Sequence, residues 1–254
     1  MTGRVLTRRQ MLLYGSSAFG SLLLSGCDRL SNSPTFRRML DSAESLSYHG
    51  QRLLVGNRAL AREYKMTDLS PVFRSNGTSA PYEPAYNALL ADSFRQWRLR
   101  VDGSVSRTLA LSLDDLRAMP ARVQITRHDC VEGWSAIGQW KGVPLSAVLD
   151  KAGMSPTARY VVFHCADSLG DEPYYESIDL IDAYHPQTIL AYELNGRGLP
   201  VANGAPLRLR VERQLGYKHA KYLMRLEVVE TFGHIGAGKG GFWEDQGYAW
   251  YAGI

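Results

Sequence analysis

Arg122-Val123-Gln124-Ile125-Thr126-Arg127-His128-Asp129-Cys130-Val131-Glu132-Gly133-Trp134 is the stretch on which the reading of this chain turns. Its first five residues alternate branched apolar and polar side chains, as a half-buried strand does, and the strand leads straight to Cys130. The thiol then stands among a guanidinium, an imidazole and two carboxylates. Residue chemistry leaves several readings open. Cys130 could be an inert, buried small hydrophobe. It could be a Cys–His nucleophile, although the adjacent carboxylates would raise its pKa and oppose activation. It could also be a thiolate ligand to a soft or high-valent metal, with Arg127 favouring the deprotonated form or simply pairing with Asp129 or Glu132. His164-Cys165 could add zinc ligands, but no C-x-x-C or H-x-x-x-H spacing supports a closed zinc site.

Working outward, Trp97 to Val101 alternates as a strand and runs into a turn at Asp102-Gly103. Ser112 is a helix N-cap with two acids in the turn after it. Leu145 to Ala152 reads as a helix closed by Gly153, and Tyr160 to Phe163 as a short buried strand. Leu207 to Val211 and Leu226 to Val229 alternate clearly. Short strands among short helices predict a mixed α+β domain, not a doubly wound sheet. Upstream, residues 28–70 read as a polar linker and N-terminal arm. In it Leu40 to Ser47 suits a short helix, and Arg58 to Tyr64 suits either a helical turn or an extended segment. A tail rich in Gly and aromatics follows Glu230. The expected organisation is an export signal (1–27), the linker and arm (28–70), and one main folded domain with its tail (71–254).

Composition narrows the class. The chain has 254 residues, 45% hydrophobic, 10% aromatic and 21% charged, which is enough to bury a core and excludes wholesale disorder. The formal charge of +4 owes most to Arg4, Arg8 and Arg9, because residues 1–27 hold no acid; no nucleic-acid footprint is expected. Three scattered cysteines exclude a disulfide scaffold. The uncharged run from Met11 to Leu24 is too short for a hydrocarbon core of about 30 Å but suits a secretory signal. Leu24-Ser25-Gly26-Cys27 resembles a bacterial lipobox, in which the Cys is acylated and anchors the protein without a transmembrane helix. Asp28 then resembles the residue that keeps some Gram-negative lipoproteins at the inner membrane. Thr7-Arg8-Arg9-Gln10-Met11-Leu12-Leu13 resembles a twin-arginine signal, a route for folded passengers.

Two further clusters complete the picture. Asn203-Gly204-Ala205-Pro206-Leu207-Arg208 and Gly216-Tyr217-Lys218-His219-Ala220-Lys221 combine glycines with cationic and amide side chains. A phosphate or polar heterocycle requires that combination, though a solvated loop between strands would also tolerate it. Phe73 to Thr78 offers an amide and backbone donors in a turn.

Taken in order, His128-x-Cys130-Val131-Glu132-x-Trp134, Trp140-x-Gly142-x-Pro144-Leu145, Tyr175-x-Ser177, His185, Asn203-Gly204-Ala205-Pro206-x-Arg208 and Gly216-Tyr217-Lys218-x-x-Lys221 resemble the sulfite oxidase family of molybdopterin enzymes. They come nearest to its periplasmic branch that reduces protein methionine sulfoxide. The resemblance spans roughly residues 70–232. It implies a sulfite-oxidase-type α+β fold and a Mo-molybdopterin cofactor, with Cys130 as catalytic metal ligand. It further implies cofactor contacts from Asn76, Cys165, Asn203, Arg208, His219, Ala220 and Lys221. Cys165 stands where the relatives carry a hydroxyl. The implied activity is oxygen-atom transfer on a small or protein-bound sulfur compound, with S-oxide reduction favoured because the Cys-Ala-Gly-Asn-Arg-Arg run of sulfite oxidases is absent. No haem-attachment or ferredoxin-type cysteine pattern is present. Electrons are therefore expected from an external partner, such as a membrane haem protein or cytochrome. The unit is expected to be a monomer, lipid-anchored through Cys27 at the periplasmic face of the inner membrane. The alternative is a non-catalytic lipoprotein that kept the fold as a binding or assembly factor.

Overall fold

The computed structural model describes residues 33–254; the export signal and Cys27 lie outside the described residues. Ten strands form two five-stranded sheets. The first has the order β2-β1-β10-β5-β6, built from β1 (Leu99–Gly103), β2 (Leu109–Leu111), β5 (Tyr160–Leu169), β6 (Glu172–Asp179) and β10 (Leu223–Val229). In it β1 and β10 run parallel and the other pairs antiparallel. The second orders β3 (Arg122–Cys130), β4 (Trp134–Pro144), β7 (Ile189–Leu194) and β8 (Arg197–Gly198), with β9 (Arg208–Arg210) also paired to β7. This is the mixed α+β architecture expected from the sequence.

Several local devices follow from single residues. Ser112 caps α3 (Leu113–Arg117) by accepting from the Asp115 N–H at 3.1 Å, and the Asp115 carboxylate returns the bond to the Ser112 N–H at 2.9 Å. Helix α4 (Leu145–Ala152) buries Leu145, Val148, Leu149 and Ala152, the i, i+3, i+4, i+7 stripe of an amphipathic helix, and ends at Gly153. That stripe joins Val101, Val161, Phe163, Leu209, Leu226 and Val228 in the main apolar core.

The amino-terminal region departs from expectation. Helix α1 runs from Pro34 to Val55, well beyond the short Leu40–Ser47 segment. The chain divides into two compact units, Met1–Gln51 and Arg52–Ile254. Within the second unit the chain follows the β3–β4 hairpin from Glu63 to Ser70, interrupted by a single 3-10 turn at Met66–Asp68. Tyr64 N–H donates to Ile125 O at 2.9 Å, and Ser70 N–H to Ile137 O at 3.0 Å. Backbone pairing with the hairpin settles the conformation that Arg58–Tyr64 left open. Helix α2 (Pro84–Ala91) then leads to β1, and two one-turn helices, α5 (Leu180–Ala183) and α6 (Phe242–Asp245), close the loops after β6 and in the tail.

Candidate active site

Strand β3 has an inverted polarity. Gln124, Thr126 and His128 face the interior, whereas Val123 is 52% exposed. A strand normally turns its apolar side inward, and here the interior it meets is polar. Gln124 Nε2 donates to Glu212 Oε1 at 2.9 Å, Arg210 Nη1 lies 2.9 Å from His128 Nδ1, and Arg210 forms a buried pair with Glu212 at 2.6 Å. β3 and β4 are joined by Val131-Glu132-Gly133, with Gly133 N–H on Cys130 O at 3.1 Å and Gly133 at φ 87°. A three-residue hairpin loop of this kind needs a left-handed third residue, which glycine supplies without strain. Cys130 is therefore the last strand residue, set opposite Trp134 at the hairpin tip.

The Cys130 side chain, half-buried, lines an open cleft of about 730 Å³ of non-protein space that reaches to solvent. Asn76, His219 and Lys221 line the same cleft, together with Thr78, Glu132, Asp167, Tyr174, Trp243 and Tyr248. Burial pushes the thiol pKa up and Glu132 adds to this; backbone N–H groups of Glu132 and Val131 and the Arg74 charge act the other way. Arg127 turns out to be a surface residue paired with Asp129 at 2.9 Å, which raises its pKa. Tyr175 and His185 have structural partners: the tyrosine hydroxyl donates to Asp245 at 2.6 Å, and His185 Nε2 lies 3.1 Å from Ala59 O.

Behind the cleft lies a cationic cradle. Arg208 is fully buried, yet its Nη groups donate only to carbonyls, Asn203 O at 2.9 Å and His219 O at 3.3 Å, and its Nε has no partner among the described residues. Lys221 Nζ likewise donates to the carbonyls of Asn76 (2.6 Å), Ala202 (3.2 Å) and Thr78. Burial and the neighbouring Arg208 charge bring the Lys221 pKa down to about 7, and burial together with Arg210 lowers that of Arg208. Asn203 Nδ2, His219 Nδ1 and His128 Nε2 are also buried without partners among the described residues. Glycine holds the cradle open: a Cβ on Gly204, which sits at φ 109°, would come within 2.9 Å of Lys221 and 3.2 Å of Arg208. One on Gly216 would lie 2.6 Å from His128 Nε2. Buried cations and N–H donors without acidic partners are costly unless an anion meets them, so these residues fit a phosphate-bearing group.

The expected residues divide accordingly. Asn76, Cys130, His219 and Lys221 share the cleft, and Asn203 and Arg208 stand behind it. Ala220 packs into the main core, its carbonyl accepting from Leu209 N–H at 2.8 Å. Cys165 lines a neighbouring cavity with Tyr175 and Phe242, and Tyr174 belongs to the walls of both. Asp167, Tyr174, Trp243 and Tyr248 escaped the sequence reading. Only an acid inside an otherwise apolar strand signalled Asp167, and Gly-aromatic density signalled the tail.

A thiol facing a cleft that backs onto uncompensated cations defines an enzyme built to seat a large anionic cofactor against sulfur. The comparisons with known proteins name that cofactor. Residues 87–233 match the oxidoreductase molybdopterin binding domain family. The chain is 37% identical over 255 residues to YedZ1 of Azospira oryzae, provisionally named a protein-methionine-sulfoxide reductase subunit, covering 98% of this chain and 88% of that one. It is 38% identical over 148 residues to MsrP of Xanthomonas campestris pv. campestris, named a protein-methionine-sulfoxide reductase catalytic subunit. That match covers 53% of this chain and 45% of MsrP. Among solved structures, the sulfane dehydrogenase SoxCD of Paracoccus pantotrophus shares the fold, with TM-score 0.50 at 23% identity over 54% of this chain and 39% of that one. The chain belongs to the molybdopterin-binding oxidoreductase family and is a molybdenum-dependent oxidoreductase of the sulfite oxidase type, with Mo-molybdopterin as its cofactor.

Proposed function

We propose that this enzyme reduces S-oxides, small or protein-bound, by oxygen-atom transfer at the periplasmic face of the inner membrane, with residues 71–254 as its catalytic domain. The bound cofactor supplies a metal that exchanges an oxygen atom with sulfur and is reset by two one-electron steps. Cys130 gives that metal its protein thiolate. Asn203 and Arg208 would hold the pterin and phosphate, the His219–Lys221 loop would grip the phosphate end, and Asn76 would contact the cofactor from the cleft wall. Cys165 lines the neighbouring cavity and not this cleft, and Tyr174 stands in the wall of both. The observation that carries this reading is the cleft that the Cys130 thiol shares with Lys221 and His219, backed by Arg208, whose guanidinium and the Lys221 ammonium hydrogen-bond to carbonyls and not to carboxylates.

Substrate choice follows from the cleft walls. Val131, Leu169, Trp243 and Tyr248 are apolar or aromatic, and the acids on the cleft are Glu132 and Asp167. The apolar and aromatic walls suit a neutral thioether S-oxide, while Arg127, the cation nearest the thiol in sequence, is taken by Asp129. One sulfoxide, two protons and two electrons give one thioether and one water, with the electrons drawn from a membrane haem protein or cytochrome. The names of the relatives, each a subunit, support a partnered enzyme. No helix among the described residues is long and apolar enough to cross a membrane; the proposed attachment is through acylated Cys27.

The test is elemental and pterin analysis of protein purified from its own host, followed by anaerobic reoxidation of the reduced centre with S-oxides and N-oxides and reduction by sulfite. One molybdenum per chain and reoxidation by methionine sulfoxide are expected, with the reoxidation lost in Cys130→Ser. Metal-free, pterin-free native protein would favour the non-catalytic lipoprotein instead, and reduction by sulfite alone would reverse the direction.

A further inference from the structure

Turning a sulfoxide oxygen into water takes two protons, and inside a walled cleft they need a carrier. The protic groups around this cleft are mostly committed. Tyr174 donates to Tyr217 O at 2.8 Å, Tyr217 to Ala249 O at 2.6 Å, and Lys221 to its three carbonyls. His219 Nε2 lies 3.0 Å from Gln214 O, and exposed Glu132 accepts from Trp134 Nε1 at 2.9 Å.

Asp167 differs from all of them. The β5–β6 ladder breaks register between His164 and Ser168, which frees Asp167 from the regular alternation and lets its side chain line the cleft. It is only 4% exposed, Thr78 hydrogen-bonds its carboxyl group, and Oδ1 has no partner among the described residues. A buried carboxylate oxygen left unpaired beside a substrate cleft is costly for the fold alone.

Resting on the S-oxide reading, we propose that Asp167 is the proton donor of this cleft. It passes a proton to the oxygen released from the sulfoxide on its way to water, and recovers one from solvent through the cleft mouth before the second transfer. The S–O bond breaks, sulfur keeps an electron pair as thioether, and the two electrons come from the external carrier. The charged and titratable groups facing Asp167 are Lys221 and Tyr222 from the loop after β9, Glu83 and Tyr86 at α2, Tyr174 on β6, and Cys165 on its own strand. Burial outweighs Lys221 and pushes the carboxyl up to about 6. The acid form is therefore populated close to neutral pH, as a general acid requires.

The experiment compares kcat against pH for the molybdenum-loaded wild type and Asp167→Asn, with sulfoxide as oxidant and pterin and molybdenum content measured in parallel. The wild-type rate should fall as pH rises through the Asp167 pKa. The Asn variant should be about 100-fold slower and flat over that range, with cofactor content unchanged, and formic or acetic acid should restore part of the rate in Asp167→Ala. A variant with the wild-type pH profile overturns the proposal, and so does one that loses the cofactor, which would make Asp167 a cofactor-holding group. Should the variants not accumulate, single-turnover oxidation of reduced wild type decides: a pH-independent rate overturns the role. Wild type that reduces no sulfoxide overturns the S-oxide reading itself, whereas active wild type with a parallel Asn profile removes only the proton donor.

Discussion

The two interiors of this molecule follow opposite rules. Between the sheets, Leu99, Val101, Leu149, Phe163 and Leu226 are wholly buried and pack apolar against apolar, the arrangement that maximises area removed from water. Behind the Cys130 cleft, Arg208, Arg210, Lys218, Glu212 and Glu176 are almost equally buried, and there the fold meets large desolvation costs. Part of that polar interior is internally settled: Arg210 pairs with Glu212, and Lys218 with both Glu176 and Glu244. The part nearest the cleft is not, because the hydrogen bonds of Arg208 and Lys221 go to carbonyls and not to carboxylates. The apolar interior makes the fold stable; the unsettled polar interior keeps a place for something the chain does not itself provide.

Substitutions can separate the two. Arg208→Met is expected to cut cofactor retention by about 100-fold, read as pterin and molybdenum per chain, while leaving the cofactor-free protein as stable or more so, because an uncompensated buried cation is gone. If the cofactor-free variant unfolds instead, Arg208 belongs to the structural interior. Lys218→Met strands two buried carboxylates. It should cost about 3–5 kcal/mol in denaturant unfolding, in contrast to Arg208→Met despite equal burial. Leu149→Ala should cost about 2–5 kcal/mol with cofactor content per folded chain unchanged. A selective loss of cofactor there would show that the two interiors are coupled.

His219 supplies a pH test of the polar side. Burial first, then Arg210, holds its pKa well below 6.5, so the native state keeps it neutral while the unfolded chain protonates it. Its contribution is present above that pH and is lost as pH falls, by up to about 1.4 kcal/mol per unit. Thermal midpoints of His219→Gln should therefore be less acid-sensitive than wild type, and an unchanged slope would remove His219 from the account. The smallest effect is expected from Arg127→Gln, whose exposed pair with Asp129 should be worth less than about 1 kcal/mol; kcat should hardly move.

Legibility in the sequence followed range. The strand into Cys130, the Leu145–Ala152 helix with its Gly153 stop and the Ser112 cap are local, set by alternation, a 3.6-residue stripe and a capping pair, and each was readable. The two basic, glycine-bearing loops offered a phosphate or polar heterocycle site by residue type alone, but type could not separate that from a solvated loop; their burial does. Helix α1 was underestimated because it runs past Leu40–Ser47 at both ends through weak helix formers, Thr35 and Phe36 on one side and Tyr48, His49 and Gly50 on the other. The arm at Arg58–Tyr64 is fixed by hydrogen bonds to a strand some sixty residues away in sequence, which no local pattern encodes. Asp167 was hidden by the β5 irregularity, since a bulge changes which face a residue takes. Trp243 and Tyr248 reach the cleft only because the tail is tied back. Glu244 meets Lys218, and Ile254 N–H donates to Arg213 O at 3.0 Å.

The most direct measurement is molybdenum K-edge X-ray absorption on native enzyme and on Cys130→Ser. Loss of one sulfur neighbour from the metal in the variant, with the cofactor still bound, is the expected result. An identical sulfur shell in both proteins would contradict the assignment of Cys130 as the protein ligand, and with it the mechanism built on this cleft.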